Sequence, residues 1–215
     1  MLSLKDLKKI RKKALIIVAH PDDESLFMGG TIAEFKRWHW TVLCITDCDE
    51  RYNRRRRQEL LRACCIYNKN GSHIKPLMLG IVKKRNSLSR NEVSEGIRNF
   101  INEFGPFDIV FTHDNKGDYG HKTHRLIHDI VNKLGLSKVY NFYVRLCKET
   151  TSSPAVESLK NIQVIDLSLR SCRIKKQALN IYLKGSQKTN LLRLKGLLKH
   201  AINTKKECFA RGDTP

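Results

Sequence analysis

Several features are scarce in this 215-residue sequence, and each scarcity narrows the class of protein. No apolar run approaches the roughly 20 residues needed to cross a bilayer, which argues against a membrane-spanning protein. Only 12 glycines and 5 prolines occur, so collagen-like and low-complexity chains are excluded. The seven cysteines are odd in number and include no C-x-x-C pair, so a reducing, cytoplasmic setting fits better than a secreted disulfide framework.

Acidic residues are also few: 21 Asp and Glu stand against 41 Lys and Arg, for a formal net charge of +20. Such an excess predicts anionic partners or surfaces. Three interpretations stay open, namely an anionic or phosphate-bearing substrate, peripheral contact with an anionic membrane, and nucleic acid. Nucleic acid is the weakest of them, since only 7% of residues are aromatic and no recognisable nucleic-acid-binding motif accompanies the basic stretches. Those stretches lie at 5–13, 51–57, 83–90 and 184–206.

Apolar runs of strand length alternate with segments of helical period along the chain. Continuous apolar runs at 14–19 and 41–46 predict strands covered on both faces of a sheet. The alternation predicts an α/β fold, a Rossmann-like doubly wound and mostly parallel sheet flanked by helices. Two helices are expected to close the fold, at 170–183 and 190–208.

The length favours one domain over residues 1–215. Its core is expected to run from 14 to 209, after a basic N-terminal segment at 1–13. Residues 147–161 are polar and predict a loop.

The end of the first predicted strand carries an unusual concentration of polar groups, Ala19-His20-Pro21-Asp22-Asp23-Glu24. In open α/β sheets ligands bind beyond the carboxyl ends of the strands. No G-x-G-x-x-G dinucleotide fingerprint is present. Crowded carboxylates repel and are costly to bury, and a divalent metal resolves that conflict. A solvated acidic turn with an Asp helix cap is the alternative, but the buried strand before it disfavours that interpretation.

A second concentration follows the predicted strand at 107–112, where His113 precedes a helix that carries His121, His124 and His128. Spacings of three and seven residues place the helical three on one side. Two imidazoles and one carboxylate, with the fourth position left to water, describe a catalytic zinc site, although iron or cobalt suits the same ligands. With a nearby carboxylate as general base, this is machinery for amide hydrolysis.

These residues carry a resemblance to a known family. The run 19–24, followed by Gly29-Gly30-Thr31-Ile32-Ala33, resembles the opening motif of the PIG-L / LmbE-like N-acetylglucosaminyl deacetylases. Gly117-Asp-Tyr-Gly-His121-x-x-His124 resembles the second motif of that family. Weaker similarities are found in Arg56-x-x-Glu59-x-x-x-Ala63 and near the C-terminus, at 175–187 and 207–209. The resemblance therefore spans residues 14 to 209.

The resemblance implies a metal site and a base. His20, Asp23 and His124 would hold Zn²⁺ or another divalent transition metal. Asp22 would act as general base on the metal-bound water that attacks the amide. The implied reaction is removal of the N-acetyl group from an N-acetylglucosaminyl or related amino-sugar conjugate, with release of acetate.

The resemblance also implies roles around the substrate. His121 would stabilise the tetrahedral intermediate and protonate the leaving amine, and Tyr119 would sit over the carbonyl oxygen. Arg56 would contact the phosphate or hydroxyls of the substrate. One departure is visible, because Lys122-Thr123 stand where the family commonly has Pro-Asp. A non-catalytic protein that binds glycans or anionic surfaces on the same scaffold is the alternative function.

Overall fold

The computed structural model describes residues 3–46, 53–82, 87–142, 162–185, 201 and 203–212. Their strands are β1 (Lys13–Val18), β2 (His39–Thr46), β3 (His73–Ile81), β4 (Ile109–Thr112), β5 (Val139–Phe142), β6 (Ile162–Asp166) and β7 (Lys206–Arg211). Their helices are α1 (Leu4–Leu7), α2 (Asp23–Glu34), α3 (Asn53–Lys69), α4 (Arg90–Phe104), α5 (Lys122–Asn132) and α6 (Leu169–Gly185). None of these helices is long and apolar enough to cross a membrane.

The strands form one sheet in the order β3-β2-β1-β4-β5-β7-β6. The first five run parallel, while β7 pairs antiparallel with both β5 and β6. The predicted α/β fold with a mostly parallel sheet is therefore confirmed. The order of connection reverses between β1 and β4, so the crevice at the carboxyl ends of these two strands is where a ligand is expected.

Both faces of the sheet are covered, which explains the continuous apolar runs. Alternate side chains of β1 enter two separate cores: Ala14, Ile16 and Val18 join the core on the side of α2, α3 and α6. Leu15 and Ile17 join the core on the side of α4 and α5. Period-two alternation of a strand buried on both sides produces this division.

The prediction of a closing helix at 190–208 is wrong at its C-terminal end. Residues 206–208 begin β7, and Phe209 pairs with Phe142 of β5 and is fully buried. Leucines at helical spacing precede this strand, and that periodicity does not reveal where a short buried strand begins. Residues 186–200, where most of that helix was predicted, lie outside the described residues, as does the loop predicted at 147–161.

Helix bounds also differ near the N-terminus. The predicted basic segment contains α1, whose Ser3 accepts the backbone N–H of Asp6 while the Asp6 carboxylate accepts that of Ser3. This reciprocal arrangement is a capping box. Apolar residues at helical spacing in 28–38 predict a helix that begins at Met28, but α2 starts five residues earlier, at Asp23, so the acidic motif forms its first turn.

Candidate metal centre and active site

The backbone just after β1 is tied to both neighbouring strands. The carbonyl of Ala19 accepts the Thr46 hydroxyl at 2.8 Å and the Thr46 backbone N–H at 3.1 Å. The backbone N–H of Ala19 donates to Nε2 of His113 at 2.9 Å. His20 therefore leaves the sheet from a position fixed by groups that follow β2 and β4.

The first turn of α2 begins with an uncommon backbone conformation. Asp22, the N-cap of this helix, has φ = 130° and ψ = −28°, a region that residues other than glycine rarely adopt. Its N–H donates to the buried Glu24 carboxylate at 3.1 Å, and its carbonyl accepts the Leu26 N–H at 2.8 Å. Backbone strain of this kind costs on the order of 1–3 kcal/mol and clusters at functional sites.

The three predicted metal ligands converge. Nδ1 of His20 lies 3.2 Å from Nε2 of His124, and Oδ2 of Asp23 lies 3.4 Å from each of these nitrogens. A tetrahedral zinc ion bonds such ligands at about 2.0–2.1 Å, which separates neighbouring ligand atoms by about 3.3 Å. The donor set and its spacing therefore fit a divalent metal.

Two other combinations of potential ligands overlap with this one. His20, His121 and His124 have ligand atoms within 4.8 Å of one another, and so do Asp23, His113 and His124. His124 is shared by all of these combinations, so α5 supplies the central ligand.

The Asp23 carboxyl is ionised in this setting although it is 1% exposed. Burial favours its neutral form, but His124, His113 and His20 together hold the pKa well below its usual range. The backbone N–H of His20 also donates to Oδ2 of Asp23 at 2.9 Å. A buried carboxylate surrounded by imidazoles is a suitable hard ligand for a metal cation.

Asp22 lies beside this cluster and contacts Arg56. Burial raises the pKa of Asp22 to about 7, although the Arg56 guanidinium, with Nη2 2.7 Å from Oδ2, opposes that rise. Arg56 also contacts the Pro21 carbonyl, pairs with Glu59 at 2.6 Å, and lies 5.4 Å from the centre of the Tyr182 ring. The structure thus places the predicted substrate arginine against the predicted base.

His121 and Tyr119 are half-buried beside the ligands. The His121 ring centre lies 4.7 Å from that of His20 and 4.6 Å from that of His124. The Tyr119 ring centre lies 5.2 Å from that of His124 and 6.0 Å from that of His121. All seven predicted site residues therefore gather around one point, and their individual roles stay predictions.

Sequence reasoning assigned no role to His113 and Asp118, which are buried within the site. Oδ2 of Asp118 lies 2.6 Å from Nδ1 of His113 and 2.7 Å from Nδ1 of His124. Burial raises the pKa of Asp118 to about 7, while its contacts with His124 oppose the shift. The available signal was that His113 directly follows the carboxyl end of β4, just as Ala19 directly follows that of β1 at the same edge of the sheet.

His128 shares the helix but not the site. Its Nδ1 lies 3.0 Å from the carbonyl oxygen of His113 and 3.1 Å from the side-chain nitrogen of Asn132 on the same helix. Of the three histidines at helical spacing, His121 and His124 therefore lie at the site, whereas His128 lies outside it.

Comparison with known proteins finds a matching family and a related sequence. The model of the PIG-L family, described as GlcNAc-PI de-N-acetylase, matches residues 15–134. An uncharacterised protein, L374, of Acanthamoeba polyphaga mimivirus is 22% identical over 144 residues, 60% of each chain. This chain thus matches less than two thirds of the length of that relative.

Several solved structures share the fold. An N,N'-diacetylchitobiose deacetylase from Pyrococcus horikoshii superposes with a TM-score of 0.71 at 19% identity, covering 98% of this chain and 87% of that one. A deacetylase of teicoplanin biosynthesis gives 0.66 at 16% identity, with 93% and 98% covered. GalB, a 4-carboxy-2-hydroxymuconate hydratase from Pseudomonas putida, gives 0.63 at 14% identity, with 95% and 97% covered.

Identities this low establish the fold alone, and the hydratase shows that one fold serves more than one reaction. The family assignment rests instead on the matched segment, which covers more than half of the 215 residues and includes both strand-end motifs. The chain belongs to the PIG-L family.

Proposed function

We propose that this protein is a metal-dependent hydrolase that removes the N-acetyl group from an N-acetylglucosaminyl or related amino-sugar conjugate. The observation that carries the proposal is the convergence of His20, Asp23 and His124 at near-tetrahedral spacing beside Asp22. Membership of a family described as de-N-acetylases supports the reaction class.

The three converging residues would hold the metal, with Zn²⁺ as the proposed ion. Such a metal, when bound, polarises a carbonyl oxygen and lowers the pKa of water. The remaining chemistry belongs to the side chains. Asp22, with a pKa raised to about 7, accepts a proton from the attacking water near neutral pH.

His121 and Tyr119 lie beside His124 near the start of α5, whereas Asp22 caps α2. His121 donates a proton to the departing amine, and both residues donate hydrogen bonds to the oxygen on which negative charge develops. Arg56 binds the substrate beside the base and, through its contact with Asp22, also orients that carboxylate.

A basic rim supports an anionic substrate. Exposed basic side chains lie at the starts of α3 and α5, which follow the carboxyl ends of β2 and β4, and in the loop before α5. They are Arg54, Arg57, Lys116, Lys122 and Arg125. Guanidinium and ammonium groups at the mouth of a site favour substrates that carry phosphate, and peripheral contact with anionic lipid would place such a substrate nearby. We also propose a cytoplasmic location, on the cysteine content.

The experiment that tests the function is acetate release from four substrates. These are a GlcNAc-phospholipid, a GlcNAc-polyol, GlcNAc-malate and N,N'-diacetylchitobiose, each with enzyme as purified, after chelation, and after zinc is restored. Acetate release that chelation abolishes and zinc restores is expected. A protein that binds these sugars with no acetate release at any metal loading would instead be a glycan-binding protein on the same scaffold.

The base assignment has its own variant. Asp22→Asn is expected to lower kcat by about 10²–10⁴-fold while stoichiometric zinc is retained. Asp129→Asn on α5 removes a half-exposed carboxylate 3.3 Å from Arg90 and is expected to leave turnover unchanged. Full activity of Asp22→Asn would overturn this assignment.

A further inference from the structure

The ring of His113 is fully buried, as is that of His124. It packs face to face on the ring of His124, with ring centres 3.8 Å apart and planes inclined by 20°. Its Nε2 accepts the Ala19 N–H at 2.9 Å, so the ring proton belongs on Nδ1, which donates to Asp118 at 2.6 Å. Both ring nitrogens are therefore satisfied by protein groups.

This hydrogen bonding bears on which imidazoles can bind a metal. His113, Asp23 and His124 form one of the candidate ligand groups, with Nε2 of His113 3.6 Å from Oδ2 of Asp23. The lone pair of that nitrogen already accepts the Ala19 N–H. Transferring it to a metal would leave the buried Ala19 N–H without an acceptor, which disfavours His113 as a ligand.

Asp118 joins the two stacked rings through a single oxygen. Its Oδ2 accepts Nδ1–H of His113 at 2.6 Å and Nδ1–H of His124 at 2.7 Å. The loop places this carboxylate firmly, because the N–H of Asp118 donates to the Asp114 side chain at 2.6 Å. Asp118 itself has φ = 61°, in the left-handed region that Asp tolerates better than most residues.

We propose that Asp118 and His113 are positioning residues for the metal ligand His124, and that His113 is not itself a ligand. Asp118 fixes the proton of His124 on Nδ1 and thereby presents Nε2 to the ion. His113 donates to the same Asp118 oxygen and helps to hold it in place. This inference rests on the metal site proposed above, and a carboxylate behind a ligating imidazole is known to tune metal affinity.

The primary test is zinc affinity, measured by competition with a chromogenic chelator. Asp118→Asn is expected to weaken zinc binding by about 10–100-fold while the melting temperature of the metal-free protein changes little. The matched control is His128→Asn, on the same helix and in contact with the His113 carbonyl but not with Asp118. This control is expected to bind zinc as the wild type does.

Substitutions at His113 separate positioning from ligation. In His113→Asn the amide N–H₂ takes the place of Nδ1–H and still donates to Asp118, but nothing replaces Nε2. His113→Phe lacks both groups. A positioning role predicts near wild-type zinc affinity for His113→Asn and weaker binding for His113→Phe, whereas a ligand role predicts the same severe loss in both.

Measurements on the wild type keep the proposal testable if a variant does not fold. X-ray absorption of the zinc-loaded protein is expected to show two imidazole ligands, and ¹⁵N NMR of labelled histidines is expected to show Nδ1–H on both His113 and His124. A metal bound to Nε2 of His113 would overturn the inference. A wild-type protein that binds no divalent transition metal stoichiometrically would overturn the proposed function, whereas equal zinc affinity in the wild type and Asp118→Asn would overturn only the positioning role.

Discussion

The two faces of the sheet are built from different chemistry. The core between the sheet and α4 and α5 is a cluster of aliphatic and aromatic side chains such as Ile97, Ile127 and Val131. The face covered by α2, α3 and α6 also contains buried charged groups, among them Glu24 and the Lys175–Glu207 pair. The polar face is the one that carries α2, and α2 begins with the predicted base and the acidic ligand.

The buried charges on this face are bonded to α2 itself. Glu207 on β7 accepts the N–H groups of Gly30 and Thr31 at 2.9 and 2.7 Å and Nζ of Lys175 at 2.6 Å. Glu24 accepts the Tyr182 hydroxyl at 2.7 Å. Hydrogen bonds are directional and apolar packing is not, so this network fixes the position of α2 more narrowly than packing fixes α4 and α5.

Removing one member of the buried ion pair is expected to have the largest effect on stability. Lys175→Met leaves the Glu207 carboxylate buried without its cation, which costs about 3–5 kcal/mol. The double variant Lys175→Met with Glu207→Gln removes both charges and is expected to recover part of that loss. Urea unfolding at pH 7 measures both changes. A loss below about 1 kcal/mol in Lys175→Met would mean that the polar face does not depend on its charges.

Two glycine-to-alanine substitutions test how closely side chains pack on the two faces of the sheet. Gly30 of α2 lies against Leu167, where an added Cβ would overlap the leucine methyl groups, so Gly30→Ala is expected to cost about 1–3 kcal/mol. Gly96 of α4 leaves 3.0 Å between an added Cβ and a Leu79 methyl. Gly96→Ala is expected to lie within about 1 kcal/mol of the wild type, because helix propensity compensates for the contact. Equal unfolding midpoints for the two variants would contradict this difference between the faces.

The sequence predicted the strands of the sheet better than the first turn of α2. Continuous apolar runs located β1, β2 and β4 within a few residues, because a strand buried on both sides leaves no polar position to confuse the pattern. Helix α2 was predicted to begin five residues late. Its first turn is acidic and strained at Asp22, and helical periodicity does not register a turn that is held by side-chain contacts.

The same contrast applies to the site. Strand ends and helical spacing located the two polar clusters, and the family resemblance then implied His20, Asp23 and His124 as the ligands. The bridge through Asp118 could not be predicted, because it depends on a left-handed residue in a loop. Equally, Arg56 was predicted to face the substrate, and only the structure reveals that its guanidinium contacts Asp22.

A third prediction concerns how stability depends on pH through the contact between the end of α2 and the start of α6. Burial opposes ionisation of Glu34, but hydrogen bonds from Lys8, Ser171 and Ser168 prevail and hold its pKa at about 2. A depressed carboxyl pKa stabilises the fold above the unfolded pKa of about 4.3, and this contribution is lost as pH falls through 2. Glu34→Gln is expected to cost about 1–2 kcal/mol at pH 7, because the Lys8 end of the cluster is exposed to solvent.

Urea unfolding of wild type and Glu34→Gln at pH 7 and pH 3 measures this dependence. The difference in free energy of unfolding between the two proteins is expected to be smaller at pH 3 than at pH 7. Glu95→Gln, exposed on α4, is the control from the apolar face and is expected to stay within about 0.5 kcal/mol of the wild type at pH 7. If this difference stays constant down to pH 3, the loss of stability comes from the changed side-chain packing and hydrogen bonding rather than from the loss of charge.

The smallest effect is expected from Ile127→Val, one helical turn after His124 on the apolar face. Ile127 is fully buried, and removing one methylene costs about 0.5–1.5 kcal/mol. Zinc affinity is nevertheless expected to stay unchanged, because the His124 ring is oriented by its bond to Asp118 at 2.7 Å and not by the packing beneath α5. Urea unfolding and chelator competition on one preparation test both statements. If Ile127→Val weakens zinc binding more than about tenfold, packing on the apolar face also determines the ligand geometry. The proposed difference between the two faces would then not hold.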